Sequence, residues 1–471
     1  MRDFPSKPIS KSDIIEEMRK ISKQDRDPKI GKMWGHIYNL GLSDEVLELA
    51  ILLYCEFLNK TMLDFTVYPS VLKMENDIIA MSASILNGNE KTVGNFTYGG
   101  TESIILATKS ARDFFIKKNG NEIPEILIPL TAHPAFYKAS EYLQLKAVSV
   151  KVDEASMIVD VEDLKEKISN RTAIIVGSAP NYPFGTVDDI RALSEIALDK
   201  KVWLHVDACI GGFLLPFLRD LGEQISPFDF SLEGVSSISA DLHKYGYAPR
   251  GASVVLFRSS ELREGSIFAM SRWPGYPIVN TSILSTRSAG PLAAAWTIIL
   301  ALGREGYRNL AERILKVRRK LIQGLTKIGY RIIGKPLGGI VAFTSDEFDI
   351  AELPTELLDW FIQYQPGSKE LGFPKSIHLT ITPGHDKVVD SFLKDLELAT
   401  EKIKKKPKKA LPRFESIEDL SSVVKILGIE EGKLPSDFTT INELMYEMPP
   451  ELVEYVLKFV ANEYLFRPSK Y

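Results

Sequence analysis

Between Tyr68 and about Gly303 the chain alternates short β-branched runs with longer amphipathic segments, and this alternation limits its possible folds more than any other feature. Ile126–Pro129, Ala147–Val152, Ala173–Gly177, Val202–Val206 and Ser253–Phe257 all read as buried strands. Strands of that kind need helices on both faces. The pattern predicts an α/β fold with a mainly parallel central sheet.

The flanks read differently. Ser12 to Ile21 and Asp44 to Leu58 carry apolar side chains at helical spacing, the second with Ser43 and Asp44 as a cap, and together they suggest a helical arm over residues 1–60. The α/β body then occupies 61–307. After a long basic amphipathic helix from Arg308 to Ile328 come strands at Tyr330–Ile333, Gly339–Phe343 and Ile377–Ile381, with a helix near Glu352 to Ile362, giving a smaller α+β domain over 308–410. Pro407 and Pro412 mark a linker, and amphipathic stretches at Ile417–Leu427 and Pro449–Tyr464 form a helical tail over 411–471.

Composition excludes several partner classes. With 58 basic against 62 acidic side chains, a net charge of -4 offers no global attraction to nucleic acid or to an anionic membrane. The longest uncharged run, Ser288 to Gly303, falls short of the roughly 20 apolar residues a membrane helix needs. The start shows no signal-peptide pattern, and two cysteines, Cys55 and Cys209, suit a reducing compartment, so a cytoplasmic protein without a membrane anchor is expected. Neither cysteine reads as a metal ligand.

In open α/β sheets ligands bind beyond the carboxyl ends of strands, so polar residues following apolar runs come first as site candidates. Tyr98-Gly99-Gly100-Thr101-Glu102 opens a helical segment, where glycines, a hydroxyl and unpaired amides can cradle a phosphate; a structural helix start is the plainer alternative. Val202–Val206 ends on Asp207, a carboxylate that needs a cationic partner if buried, or else serves as a cap. His243-Lys244 follows a serine-rich stretch, and a lysine desolvated near other cations loses its proton readily enough to form a Schiff base. His133, after Ile126–Pro129, can stack on a flat ring, though many such histidines are only structural. No Gly-x-Gly-x-x-Gly follows the first strand, which argues against a Rossmann-type nucleotide binder.

Phosphate turn, ring, carboxylate and His-Lys, in that order, make the set a pyridoxal phosphate site requires. The stretches GGTESI from Gly99, HVDACIGGFL from His205, PFDF from Pro227 and GVSSISADLHKYGYAPRG from Gly234 resemble the fold-type-I pyridoxal phosphate enzymes. Within them the likeness is to the group II decarboxylase superfamily, and nearest to its sphingosine-1-phosphate lyases. It extends in register from near Gly31 to about Lys405. The resemblance implies that Lys244 carries the cofactor as a Schiff base, that Asp207 faces the ring nitrogen and that His133 stacks on the ring. It also implies that Gly100, Thr101 and His243 hold the phosphate, and that the enzyme is a homodimer.

The same resemblance implies a carbon-carbon lyase that cleaves an amino-hydroxy substrate, phosphorylated in the lyases, to an aldehyde and an amine. Tyr38 and Tyr182 then line the pocket, with Arg250 where the lyases carry a lysine, as a substrate-binding cation. Two positions depart from the lyase pattern. A histidine-bearing stretch is replaced by Asn59–Asp64, and a pocket tyrosine by Ile278. The alternative is an α-decarboxylase of aromatic or acidic amino acids, in which Tyr276, flanked by Pro274, Gly275 and Pro277, reprotonates the substrate carbon.

Overall fold

The computed structural model describes residues 4–120, 122–406, 446 and 448–466. Contacts divide the chain into two compact units: Trp34–Phe343 with His378–Leu393, and Met1–Met33 with Thr344–Ile377 and Lys394–Tyr471.

The larger unit is built on a seven-stranded sheet of β1 (Val93–Thr97), β2 (Glu125–Pro129), β3 (Lys146–Val150), β4 (Thr172–Ser178), β5 (Trp203–Asp207), β6 (Val235–Ala240) and β7 (Ser253–Phe257), in the order β1-β7-β6-β5-β4-β2-β3. β3, β2, β4, β5 and β6 run parallel, while β7 runs antiparallel to both β6 and β1. Five strands therefore match the runs legible in the sequence. β1 and β6 were not legible as strands. β1 contains Gly94 and a buried Asn95, whose amide is satisfied by Ser266 Oγ at 2.9 Å and Arg263 Nε at 2.7 Å. β6 is half serine.

Helix Gly100–Asn119 lies on this sheet because its apolar residues fall on one face. Ile104, Ala107 and Ala111 pack with Ile126, Ile128, Val176, Val255 and Phe257 in one buried cluster. Gly120, at φ 80°, ends it in the left-handed region. The apolar run ending at Gly303 and the segment Arg308–Ile328 form two helices over Gly290–Ile328 that meet at a kink at Gly303 (φ 55°, ψ -175°).

In the smaller unit, helix Lys11–Ile21 is capped by the Ser10 side chain. The helix expected near Glu352 to Ile362 shrinks to a turn at Ile350–Glu352 and a single helical turn, Leu353–Glu356. Leu357 leaves helical geometry at ψ 46°, and Phe361 N donates to Lys32 O at 2.8 Å, drawing the chain into an extended bridge. The carboxyl-terminal stretch forms helix Pro450–Val460. Pro407, Pro412 and the stretch Ile417–Leu427 lie outside the described residues.

The close approach of β1 to β7 requires glycine. A Cβ on Gly94 would stand 2.6 Å from Val255 O and 2.8 Å from Leu256 Cδ2. Gly94→Ala is expected to destabilise the fold by about 1–3 kcal/mol. Urea denaturation reads this as a lowered midpoint; an unchanged midpoint would contradict the packing described.

Candidate active site

The carboxyl ends of β1, β2, β4, β5 and β6 share one edge of the sheet, and the polar residues that follow them converge there. They line a cavity of about 470 Å³ that includes Gly99, Gly100, Thr101, His133, Tyr182, Asp207, Cys209, Asp241, His243 and Lys244.

At one end is the start of helix Gly100–Asn119. Its cap is Gly99, at φ 151°, and no side chain caps it. The first amides thus keep no intrahelical partner and present the positive end of the helix dipole. Gly100 is tightly enclosed: a Cβ there would lie 2.7 Å from Cys209 Sγ and 3.0 Å from both Asp241 carboxylate oxygens. Glu102 ties this turn to the cavity rim. Its Oε2 accepts from Tyr98 N at 2.7 Å, while Oε1 accepts from Ser282 Oγ at 2.6 Å and Ile283 N at 2.7 Å. Ile283 and Leu284 line the same cavity.

Lys244 sits in a turn braced from several sides. Tyr247 N donates to Lys244 O at 2.9 Å, with Tyr247 itself at φ 62°. The Tyr245 hydroxyl lies 2.9 Å from both Gly339 O and Ile381 O, and Tyr307 donates to Gly246 O at 3.0 Å. Lys244 Nζ stands 2.9 Å from Asp241 Oδ2. Neighbouring cations were expected to strip its proton, and the structure corrects this. Burial alone would lower the ammonium's pKa, but Asp241 foremost, with Asp207 adding to it, outweighs burial and holds the group above its ordinary value. Burial would raise the Asp241 carboxyl, yet Lys244 and His243 beside it bring it below the usual range.

Asp207, at the end of β5, is buried, and its Oδ1 accepts from Cys209 N at 3.0 Å and from Ser239 Oγ at 3.3 Å. His133 Nδ1 accepts from Ala135 N at 3.1 Å, so the neutral ring carries its proton on Nε2. Burial lowers its pKa, against the opposing field of Asp207. His243 Nδ1 accepts from Ala252 N at 3.3 Å, and its ring lies near Gly99, where an added Cβ would stand 3.5 Å from His243 Cε1.

The remaining candidates are placed unequally. Tyr182 lines the cavity and stacks on His378 at 4.5 Å. Tyr38 was expected to line the pocket but, like Arg250, is not among the residues lining the cavity; it is buried 5.1 Å edge-on from Tyr245, and burial pushes its hydroxyl up to about 12. Arg250 is exposed, with its guanidinium 5.8 Å over the Tyr38 ring and a hydrogen bond to His36 O. Tyr276 is 60% exposed on the hairpin of β8 (Phe268–Met270) and β9 (Ile278–Asn280), and it is not among the residues lining the cavity. Asp241, Cys209 and His378 were not singled out from sequence. Asp241 carried a signal, since it lies one helical turn before Lys244; Cys209 and His378 carried none.

The donor set fits pyridoxal phosphate. Unpaired amides and Thr101 could take a phosphate, Asp207 a protonated ring nitrogen, His133 the face of a flat ring, and Lys244 an aldehyde. Asp241 Oδ1 is buried without a hydrogen-bond donor, as expected beside a site shaped for a polar guest. Comparison with known proteins agrees. The pyridoxal-dependent decarboxylase conserved domain matches residues 3–345. The chain belongs to the pyridoxal-dependent decarboxylase family. Within that family it is 39% identical over 404 residues to the sphingosine-1-phosphate lyase of Arabidopsis thaliana, covering 83% of this chain and 73% of the relative. The Dictyostelium discoideum sphingosine-1-phosphate lyase is 37% identical over 474 residues, 99% of this chain and 83% of that one. The solved sphingosine-1-phosphate lyase of Burkholderia pseudomallei K96243 superposes with a TM-score of 0.81 at 34% identity, covering 86% of this chain and 93% of that one. Membership makes the protein a pyridoxal phosphate-dependent lyase, and no helix among the described residues is long and apolar enough to cross a membrane.

Burial of histidines in this unit sets a pH dependence. His205 and His378 are both fully buried, and desolvation lowers each from 6.5 to about 4. Between those values the unfolded chain takes up protons that the folded chain refuses, so their contribution to stability is complete above pH 6.5 and declines toward pH 4. The thermal midpoint is expected to drop over this window, and to drop less steeply in His378→Gln; identical slopes would rule His378 out as a cause.

Proposed function

We propose that this enzyme is a carbon-carbon lyase acting on a substrate with an amine on one carbon and a hydroxyl on the next, phosphorylated at its end, releasing an aldehyde and an amine. The observation that carries the reading is the convergence of Lys244, Asp207, His133 and the Gly99–Thr101 helix start on one cavity. Likeness to sphingosine-1-phosphate lyases supports this outcome over decarboxylation.

Pyridoxal phosphate, when bound, supplies a ring that takes up the negative charge left on the amine-bearing carbon. Gly100, Thr101 and His243 hold its phosphate, while Lys244 offers the amine that anchors it. Asp241, 2.9 Å from Lys244 Nζ, holds the amine in place as an ion pair, and the ammonium must lose its proton before it can act as a nucleophile. Asp207 keeps the ring nitrogen protonated and His133 fixes the ring plane. Tyr182 contacts the substrate within the cavity. Tyr38 is fully protonated at neutral pH and acts as a proton donor rather than a base. Arg250 offers a fixed cation for the anionic end of the substrate.

The working form is proposed to be a homodimer in the cytoplasm. Leu49, Ile51, Leu52, Phe65 and Val67 are exposed within one short stretch of the larger unit, apolar surface that a second copy could cover, and neither cysteine is in a disulfide. Light scattering should give twice 52.8 kDa; a monomeric mass would remove the dimer.

Lys244→Ala should abolish turnover and the visible absorption that borohydride bleaches in the parent, and Asp207→Ala should weaken cofactor retention with the fold intact. Full turnover by Lys244→Ala would overturn the site. Incubation with a 2-amino-3-hydroxy phosphate ester should yield aldehyde and no carbon dioxide. Carbon dioxide from aromatic or acidic amino acids, without aldehyde from the ester, would establish the decarboxylase instead.

A further inference from the structure

Behind Asp207 lies a string of buried hydrogen bonds that runs from the Trp203 indole to its carboxylate. The Trp203 indole nitrogen, which can only donate, gives its proton to Ser237 Oγ at 2.8 Å. The Ser237 hydroxyl faces His205 Nδ1, also at 2.8 Å. Ser239 has one hydroxyl proton and directs it to Asp207 Oδ1, so His205 Nε2 carries the imidazole proton toward Ser239 and Nδ1 accepts from Ser237. Nε2 lies 3.2 Å from Ser239 Oγ, which in turn donates to Asp207 Oδ1 at 3.3 Å. The His205 ring is fully buried and neutral, as its lowered pKa of about 4 requires, and the Phe136 ring meets it edge-on at 5.7 Å. Ser237, His205 and Ser239 are all 0% exposed, on adjacent strands β5 and β6 in register, His205 opposite Ser237 and Asp207 opposite Ser239.

We propose that His205 is a positioning residue for the cofactor: through Ser239 it directs a donor onto Asp207 Oδ1, leaving Oδ2 turned to the ring nitrogen. Oδ1 receives Cys209 N as well, so one carboxylate oxygen is committed to the protein and the other accepts no hydrogen bond from the described residues. Ser237 and Ser239, two of the three serines that spoil the appearance of β6 as a strand, carry this string. The inference rests on Asp207 facing the ring nitrogen.

The test compares two cofactors on the full chain: pyridoxal phosphate, and its analogue with carbon in place of the ring nitrogen. Dissociation constants are measured by absorbance for the parent, Asp207→Ala, His205→Leu, His205→Gln and Ser239→Ala. His205→Leu and Ser239→Ala should bind pyridoxal phosphate roughly tenfold more weakly, and the carbon analogue as the parent does. His205→Gln, which can still accept from Ser237 and donate to Ser239, should recover most of the loss. Equal weakening toward both cofactors would reduce His205 to packing, and no weakening at all would dismiss it. Ser239→Ala, one oxygen smaller, decides the matter if His205→Leu does not fold. Should Asp207→Ala itself fail to discriminate the two cofactors, the placement of Asp207 is wrong; if it discriminates while His205 and Ser239 do not, the string alone falls.

Discussion

Two aspartates buried against one cavity impose the constraint on which the larger unit depends, because a buried carboxylate persists as an anion only where cations or donors answer it. Asp241 is answered by Lys244 at 2.9 Å and by His243 at 3.6 Å. Asp207 is answered on one oxygen by a backbone amide and a serine, and on the other by whatever cation enters the cavity. The sheet topology follows from the same need, since parallel strands bring their carboxyl ends, and hence both acids, to one edge.

The bracing around Lys244 shows how the fold holds a charged group still. Tyr245, Tyr247 and Tyr307 are all buried, and burial raises each hydroxyl well above its ordinary range. They act as neutral donors and packing wedges, not as titrating groups. The ordering entropy of the Lys244 turn is met in the scaffold, so the amine has few alternative positions when a guest arrives.

Much of this was legible in the sequence where apolar patterning and function agreed. β2, β4, β5 and β7 are apolar runs because they are covered on both faces; Asp207 stood out because it ends one of them, and Lys244 because it follows His243 after a serine-rich stretch. Legibility failed where a side chain served two purposes. β6 hid behind its serines and β1 behind Gly94 and Asn95, whose roles are a relay, a close approach and a buried amide network. The protonation of Lys244 was misjudged because its dominant neighbour, Asp241, becomes adjacent only when the chain folds into the turn. The helix near Glu352 was misplaced because its apolar residues serve an extended bridge.

Glu102 joins two parts of the cavity that are otherwise separate tasks. One of its oxygens fastens the Tyr98 end of the turn at the helix start, and the other fastens Ser282 and Ile283 on the cavity rim. The helix start and the rim therefore share a single mechanical joint. A lineage remodelling that rim to admit a different guest would disturb its grip on the vitamin, which makes substrate preference in this scaffold costly to change by loop variation alone.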